Sequence, residues 1–319
     1  MSGVQYGLVE TFRSPQFIGE LFTADSTRTP LLSMTGGLTG GLRTDNEQFP
    51  TAVIFDYPEA RQPEISEFDA AWNATPTFLT RDQETNVVQI FQETVGITYQ
   101  RLSNTGRMYG VTGNNADNLL ENELDFQIAH KLKIMARDIE FSFINGAYHK
   151  RESAHESSKT RGLISVAKNA STVDASGDVL TRDMLGSLFK QMADNGAYFD
   201  DMVIFVNSSQ KAAISEAYSN QPGFMLPQSR NRAGINVLEI DNDFFRCGVV
   251  YNKFVPQDTV LVADIAHVAP VFQTVPGKGH IFLEELSKNG AAEMYHLYAQ
   301  VGLAHGPGFL HGIIEGLKA

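Results

Sequence analysis

A chain of 319 residues with 42% hydrophobic content carries enough apolar mass for one substantial core or two modest ones. A formal net charge of -12 excludes a nucleic-acid binder working through a basic surface, and equally a polybasic membrane anchor, because both depend on lysine and arginine facing phosphates. The lone cysteine, Cys247, excludes an intrachain disulfide and any zinc site built from four cysteines or CxxC pairs.

The start, MSGVQYGLVETFRSPQF, has no basic stretch followed by an apolar one, so no secretory signal is expected. No run approaches the ~20 apolar residues of a membrane-spanning helix. Synthesis in a reducing cytoplasm fits these features. Residues 1–50 lack a core of their own. The piece TRTPLLSMTGGLTGGLRTDNEQFP pairs glycines at Gly36-Gly37 and Gly40-Gly41 and shows little periodicity, so burial cannot offset its ordering entropy unaided. It nevertheless keeps Leu31, Leu32, Met34, Leu38 and Leu42. An arm docked on a neighbour suits that composition, and so does an ordered loop packed on its own domain.

Residues 51–110 are rich in Thr, Val, Ile, Phe and Tyr. TAVIFDYP and NVVQIFQETVGITYQRL predict strands, with Trp72 and Pro76 between them. The polar alternation describes a ribbon exposed on at least one face. A two-stranded ribbon is marginal in water, so it is expected to lie against its own body or another subunit. No lysine occurs before Lys131, which removes lysine chemistry from this region.

From Asp117 to Tyr148 the spacing of Leu120, Leu124, Ile128, Leu132, Met135, Ile139 and Phe143 predicts one long helix with a single apolar stripe. At ~1.5 Å per residue it is a rod of roughly 45 Å. Acidic Glu121, Glu123 and Asp125 precede basic Lys131, Lys133 and Arg137, the order that the helix dipole favours. The polar piece KRESAHESSKTRG, residues 150–162, is expected to be mobile.

An α/β stretch follows. Thr181 is placed to cap a helix through Asp194, which Gly196 ends. MVIFV, Met202–Val206, reads as a buried strand, and Asn207 or Ser208 caps a second helix through Tyr218. Three short strands are expected around Val237, Val249 and Val260. In the tail, HIFLEEL and AAEMYHLYAQVGL are joined by Ser-Lys-Asn-Gly, whose Asn289-Gly290 pair favours a tight hairpin turn. FLHGIIEGL predicts one more strand.

No constellation of reactive side chains emerges. Gly277-Lys278-Gly279 has the flavour of a phosphate loop, but Phe282 stands where a dinucleotide fingerprint needs its third glycine. IFLEEL reads as strand, so no helix N-terminus awaits a phosphate, and the glycines are expected to bend the chain between strands. The histidines form no ligand spacing, although His296, His305 and His311 lie close enough in sequence to converge. Glu284 and Glu285 point to opposite faces of a strand. Asp241 and Asp243 share a face with nothing to complete an acid–base pair. Ser208-Ser209 follows a buried strand but lacks a nucleophile elbow, and helix capping accounts for it. No catalytic, cofactor-binding or metal-binding residue is assigned, and no cofactor is expected.

The order of parts is a glycine-rich arm, an extended ribbon, one long helix, an α/β insertion and closing strands. It resembles the Johnson fold of tailed-phage major capsid proteins, an α+β fold also used by encapsulin shells. TRTPLLSMTGGL, TRGLISVA, GAYFDDMVIFVNSSQKAAIS, VADIAHVAPVF and PGKGHIFLEELSKNGAAEMYHLYAQVGLAHGPGFLHG are similar to the major head proteins of an SU-type podovirus family. The resemblance covers nearly the whole chain.

It implies an N-terminal arm over residues 1–50 and an extended loop over 51–110 that lies on an adjacent subunit. It further implies a peripheral domain over 111–164 with its spine helix at 117–148, an axial domain over 165–270, and peripheral return strands over 271–319. Gly277-Lys278-Gly279 would then cross from the axial to the peripheral domain. The implied function is structural: self-assembly into pentamers and hexamers of an icosahedral phage head enclosing double-stranded DNA, made in the host cytoplasm and ending in the virion. Implied partners are copies of the chain, a scaffolding protein, a portal and a decoration protein, with packaged DNA met only through non-specific proximity and no membrane. Two departures qualify the likeness. Some relatives cross-link through a lysine in the extended loop, and none exists here. Others begin with a long helical scaffolding segment, whereas nothing before residue 50 looks like one, which implies a separate scaffolding protein or prior cleavage, with Met1 favouring the former. Two alternatives stand beside this reading: an encapsulin-type shell with enzyme cargo, and a metal-dependent hydrolase using the tail histidines.

Overall fold

The computed structural model describes residues 28–55, 57, 60–72, 78–103, 123–219, 228–232, 235–241, 245–288 and 290–318. Along the chain, α1 (Pro30–Met34) turns through glycines at positive φ into β1 (Leu42–Thr44). β2 (Gln48–Phe55) leads outward, α2 (Glu67–Trp72) lies beyond its end, and β3 (Arg81–Val87) leads back. β4 (Gln89–Thr98) and α3 (Tyr99–Ser103) follow, then α4 (Glu123–Asn145) and α5 (Leu163–Lys168). Next come β5 (Thr172–Asp174), α6 (Arg182–Asp194), β6 (Met202–Val206), α7 (Ser208–Ser219), β7 (Gln228–Arg232), β8 (Ile235–Asp241) and β9 (Arg246–Tyr251). The chain ends with β10 (Val260–Asp264), β11 (Ala269–Gln273), β12 (Ile281–Glu285), β13 (Ala292–Ala304) and β14 (Gly312–Glu315).

These strands form three sheets. In the first, β4 runs antiparallel along one edge of β13, from Ala292↔Thr98 to Val301↔Gln89. β12 and then β11 share the other edge, and β1 adds in parallel on β11. The second sheet has the order β5-β14-β10-β6-β9-β8-β7. The third is the two-stranded ribbon β2–β3.

The apolar patterns explain these layers. Along β6, Val203 and Phe205 face one core with α4 and α5, whereas Met202, Ile204 and Val206 face another with α6. A strand covered on both faces has no polar position, hence the unbroken MVIFV. Helix α6 is capped as its sequence predicts: Thr181 Oγ1 accepts from Met184 N–H at 3.4 Å, and Gly196 takes φ +90 just past the end. On α4 only the second half of the predicted stripe is sealed. Met135, Ile139 and Phe143 are buried against Leu297, Ala299 and Val301 of β13, but Leu132 is 36% exposed. Residues 117–122 of the expected helix lie outside the described residues, and 146–148 follow its end at Asn145.

Four expectations meet a different outcome or a choice. Residues 30–38 pack on their own chain, with Leu31 and Leu32 in the largest core, so of the two readings of this segment the ordered loop is the one observed. The connector 150–162 is pinned down: His149 and Lys159 exchange backbone hydrogen bonds, and Ser158 Oγ donates to Glu47 at 2.6 Å. The Gly277-Lys278-Gly279 turn joins β11 to β12 within one sheet. The chain passes from the seven-stranded sheet to the sheet of β13 earlier, at the 3₁₀ turn Ile265–His267 between β10 and β11. Finally, β14 does not return to the sheet of β13; it pairs with β10 in the seven-stranded sheet.

Phe143, at 0% exposure, tests the shared core. Phe143→Ala is expected to cost about 3–5 kcal/mol, read as a lower urea midpoint with an unchanged slope.

Candidate assembly interface

The stretch that runs along β2 and on toward the start of β3 carries, among the described residues, a dense run of uncovered apolar side chains. The two strands pair from Gln48↔Val87 to Phe55↔Arg81, with a bulge between Pro50 and Ala52. Neither strand joins the ladder of a larger sheet. Beyond the strands, α2 starts with a local cap, Ser66 Oγ accepting from Asp69 N–H at 3.1 Å. Among the described residues, eight of the seventeen exposed large apolar side chains lie between residues 53 and 79: Val53 and Phe55 on β2, then Tyr57, Ile65, Phe68, Trp72, Phe78 and Leu79. Such a concentration along one short stretch of chain marks an interaction surface rather than ordinary scatter.

The ribbon's root is as ordered as its tip is bare. Phe49 and Val88 form a small core with Val271 and Ala304. Gly302 of β13 makes room for it: a Cβ there would meet the Phe49 ring at 2.6 Å and the Val87 carbonyl at 2.9 Å. Asn86 is fully buried and fully used. Its Nδ2 donates to Leu303 O at 2.8 Å and to Arg161 O at 3.2 Å, and its Oδ1 accepts from Arg161 N–H and Val87 N–H. Thr160 Oγ1 accepts from Leu303 N–H, and Gln89 Oε1 accepts from Thr160 N–H. Outside this layer, Glu47 meets Ser158 and Arg151. The Ser158 hydroxyl, then the Arg151 guanidinium, hold its carboxyl below the usual range despite some burial. These ties fix the direction in which the ribbon leaves the body.

Glu84 of β3 faces one tail histidine, His305. Burial pushes its carboxyl up, and its Oε2 lies 3.9 Å from His305 Nδ1. Burial depresses His305 to about 4 although its Nδ1 donates to Gly306 O. His311 is lowered too, again by burial first, and its Nε2 donates to His305 O at 2.6 Å. His296 sits apart on the β12–β13 hairpin, 3.9 Å from Glu284. The three tail histidines therefore do not form a common ligand set.

The remaining polar and glycine motifs have structural roles. Lys278 Nζ donates to Glu284 at 2.6 Å, which holds that carboxyl below its ordinary value, while Gly277 and Gly279 take φ +80 and +94 in a turn. No helix begins there. Asn207 Oδ1 accepts from Ser208 N–H at the start of α7. Asp241 pairs in register with Arg246, and Asp243 lies outside the described residues. A group the sequence did not single out, Asp200, Asp264 and His267, brings three ligand-type atoms within 4.8 Å of one another. The buried Asp264 carboxylate, however, accepts from the N–H groups of Asp200, Asp201 and Ala266, each at 3.1 Å, and so shapes the turn out of β10.

A long helix laid across one sheet, a second α/β layer and a projecting ribbon define the fold of virus-like shell subunits. The chain is similar to the capsid subunit of cyanophage A-1(L), with TM-score 0.64 at 10% identity over 95% of this chain and 96% of that one. It is similar to a chain of Mycobacterium phage Adephagia, with TM-score 0.58 at 11% identity and 98% coverage of both. It also shares its fold with the SrpI encapsulin of Synechococcus elongatus PCC 7942, with TM-score 0.59 at 13% identity over 94% and 92%. No curated protein sequence is significantly similar to it. The family is fixed by sequence: residues 4–318 match the SU10 major capsid protein family, and the chain belongs to it. It is a structural, non-enzymatic capsid protein of the virion, and no helix among the described residues is long and apolar enough to cross a membrane.

Sequence reasoning found the ribbon's apolar content but not its fastenings. Asn86 and Gly302 carry no local signal, since each acts on residues remote in the chain. Glu140 had one: a carboxylate placed between Ile139 and Phe143 on a buried stripe.

Two outcomes follow. Gly302→Ala is expected to drive out the Phe49 ring at about 1–3 kcal/mol, seen as a lower melting temperature and faster proteolysis near residues 48–55. For His305, the unfolded chain takes up a proton below about 6.5 that the folded site refuses until about 4. Stability from this group is therefore lost as pH falls through that window. The unfolding free energy of wild type minus that of His305→Gln is expected to shrink by roughly 3 kcal/mol between pH 6.5 and 4, measured by urea titration. A difference that stays constant with pH would sink the assignment.

Proposed function

We propose that the β2–β3 ribbon and the residues beyond it are the clasp by which copies of this chain join into the pentamers and hexamers of a closed icosahedral head. The observation that carries this is the cluster of eight uncovered apolar side chains between residues 53 and 79. An element that cannot cover this surface itself gains by laying it on a neighbour, where each large side chain gains about 1.5–3 kcal/mol on full burial. Rotational repetition of one heterologous contact then closes a ring.

On this reading residues 1–50 are the arm, 51–110 the extended loop, 111–164 and most of 271–319 the peripheral domain, and 165–270 the axial domain, with 312–315 counted with the axial part. The axial domain would meet its copies around the ring centre. The head would enclose double-stranded DNA, and the net charge of -12 favours a surface on which packaged DNA slides rather than sticks. A scaffolding protein, a portal and a decoration protein are the proposed further partners. The likeness to an encapsulin is one of fold alone.

Trp72 and Phe68, 78% and 68% exposed, are suited to a test because neither supports the subunit's own core. The double variant Trp72→Asp, Phe68→Asp, expressed with the cognate scaffolding protein, is expected to keep wild-type circular dichroism and thermal unfolding. By light scattering and electron microscopy it should give few or no particles. Shells formed at the wild-type level would overturn the clasp.

A further inference from the structure

The root of the ribbon borders a recess of about 290 Å³ that β4 and the connector 150–162 share. Val88 and Ile90 form its apolar wall, and Ile90 is left 54% exposed by its own chain. Gln273 and Gln300 line it from the sheet, Arg151 and Lys159 from the connector. Most of its polar groups are already engaged. Arg151 pairs with Glu47 at 2.8 Å, and the Glu156 carboxylate accepts from Glu152 N–H at 3.0 Å. Gln300 Nε2 donates to the Tyr298 hydroxyl at 2.7 Å, which leaves Gln300 Oε1 as an acceptor. Among the described residues neither Lys159 nor Lys150 forms a salt bridge, and Lys150 Nζ donates instead to Gln48 Oε1 at 2.6 Å.

The far end of the same ribbon offers complementary groups. Trp72, 78% exposed, and Phe68 share one face of α2, four residues apart. Glu64 and Glu67 are exposed beside them and form no salt bridge among the described residues. Between the pairs Gln48↔Val87 and Phe55↔Arg81 the strands run roughly 23 Å, at ~3.3 Å per residue. The tip therefore stands well away from its own root, and a tip seated in such a recess belongs to another copy.

We propose that this recess receives Trp72 of a neighbouring copy, with the indole against Val88 and Ile90, its N–H on Gln300 Oε1, and Glu64 and Glu67 facing Lys150 and Lys159. This seat rests on the ribbon being the clasp and adds the surface that receives it. The volume lies near the lower end of ligand pockets, a fit for one large side chain rather than a whole ligand. A buried indole needs an acceptor for its N–H, and Gln300 supplies one. Charge points the same way. With a net charge of -12 on every copy, an acidic ribbon end finds few attractive places on a neighbour. The connector 150–162 is one, carrying Lys150, Arg151, Lys159 and Arg161 against Glu152 and Glu156. Matched charge fixes register and disfavours other seats. An aromatic anchor in a pocket with a polar rim is also the make-up of an interface hot spot.

Trp72 is the only tryptophan, so fluorescence of the wild-type chain reports its surroundings without a label. Relative to the free subunit, purified shells freed of scaffolding protein are expected to emit further to the blue, with acrylamide quenching reduced several-fold. Carbodiimide coupling of shells built from a mixture of isotopically heavy and light chains then identifies the seat. Mass spectrometry is expected to find Glu64 or Glu67 bonded to Lys159 or Lys150 in pairs that join a heavy copy to a light one. Emission unchanged by assembly overturns the seat. Coupling of those carboxylates only to other lysines, or to none, overturns it too, and where the blue shift is present the clasp itself still stands. Failure of the clasp is read separately, from shells formed by Trp72→Asp, Phe68→Asp.

Discussion

The register of β13 is the constraint on which the rest of this subunit depends. It is hydrogen-bonded along both edges, by β4 on one side and by β12 and β11 on the other. Leu297, Ala299, Val301 and Leu303 alternate into the core. A slip of one residue would turn all four to the opposite face, so burial fixes the register strongly. That register has remote effects. The ribbon reaches β4 directly through Val88, so its direction is set by where β4 lies on β13. Gly302, opposite Val271 in the ladder, is also the gap that admits Phe49. A strand that holds the sheet together therefore also aims the projecting surface.

Buried polar groups do what apolar packing alone would leave loose. Asn86 ties the ribbon to points 75 and 217 residues distant in the chain, and Glu140 ties together points 109 and 112 residues distant. In a low-dielectric interior such groups are costly unless every donor and acceptor is matched, so they tolerate few alternative arrangements. His305, beside Glu84, and His311 add a milder form of the same constraint, their pKa values lowered by burial. Apolar contacts supply the bulk of the free energy, and these nodes select one geometry from the several that the apolar contacts would accept.

What the sequence disclosed and what it hid divide along the same line. Local periodicity and punctuation were legible: the stripe of α4, the Thr181 cap, the doubly covered MVIFV and the hairpin ending at Gly290 all depend on residues a few positions apart. The shell fold and the capsid family were legible too, through motifs spread over the chain. The partner of a strand was not, because pairing is decided by residues far away. FLHGIIEGL reads correctly as a strand, yet nothing within it says that it joins β10 rather than β13. The glycines around Lys278 signal a turn but not which strands it connects. The polar connector 150–162 looked free because its restraints, above all Glu47, come from over a hundred positions earlier. At the interface the apolar side chains could be read off directly, whereas Asn86 and Gly302 matter only through neighbours that the fold supplies.

The absence of lysine before Lys131 shapes how a shell of this kind must hold. With no amine on the ribbon, a lysine cross-link there is closed off, and the proposed clasp relies on burial. Eight large apolar side chains at about 1.5–3 kcal/mol each give a gross gain of about 12–24 kcal/mol. The loss of translational and rotational freedom takes back an estimated 4–15 kcal/mol. One ribbon on one neighbour is thus held only moderately, and a misplaced subunit can leave. In a ring closed by the proposed clasp, each subunit would both give and receive a ribbon, and release would require breaking two such contacts together. Reversible single contacts and firm closed ones come from the same surface, which is what error-correcting assembly requires.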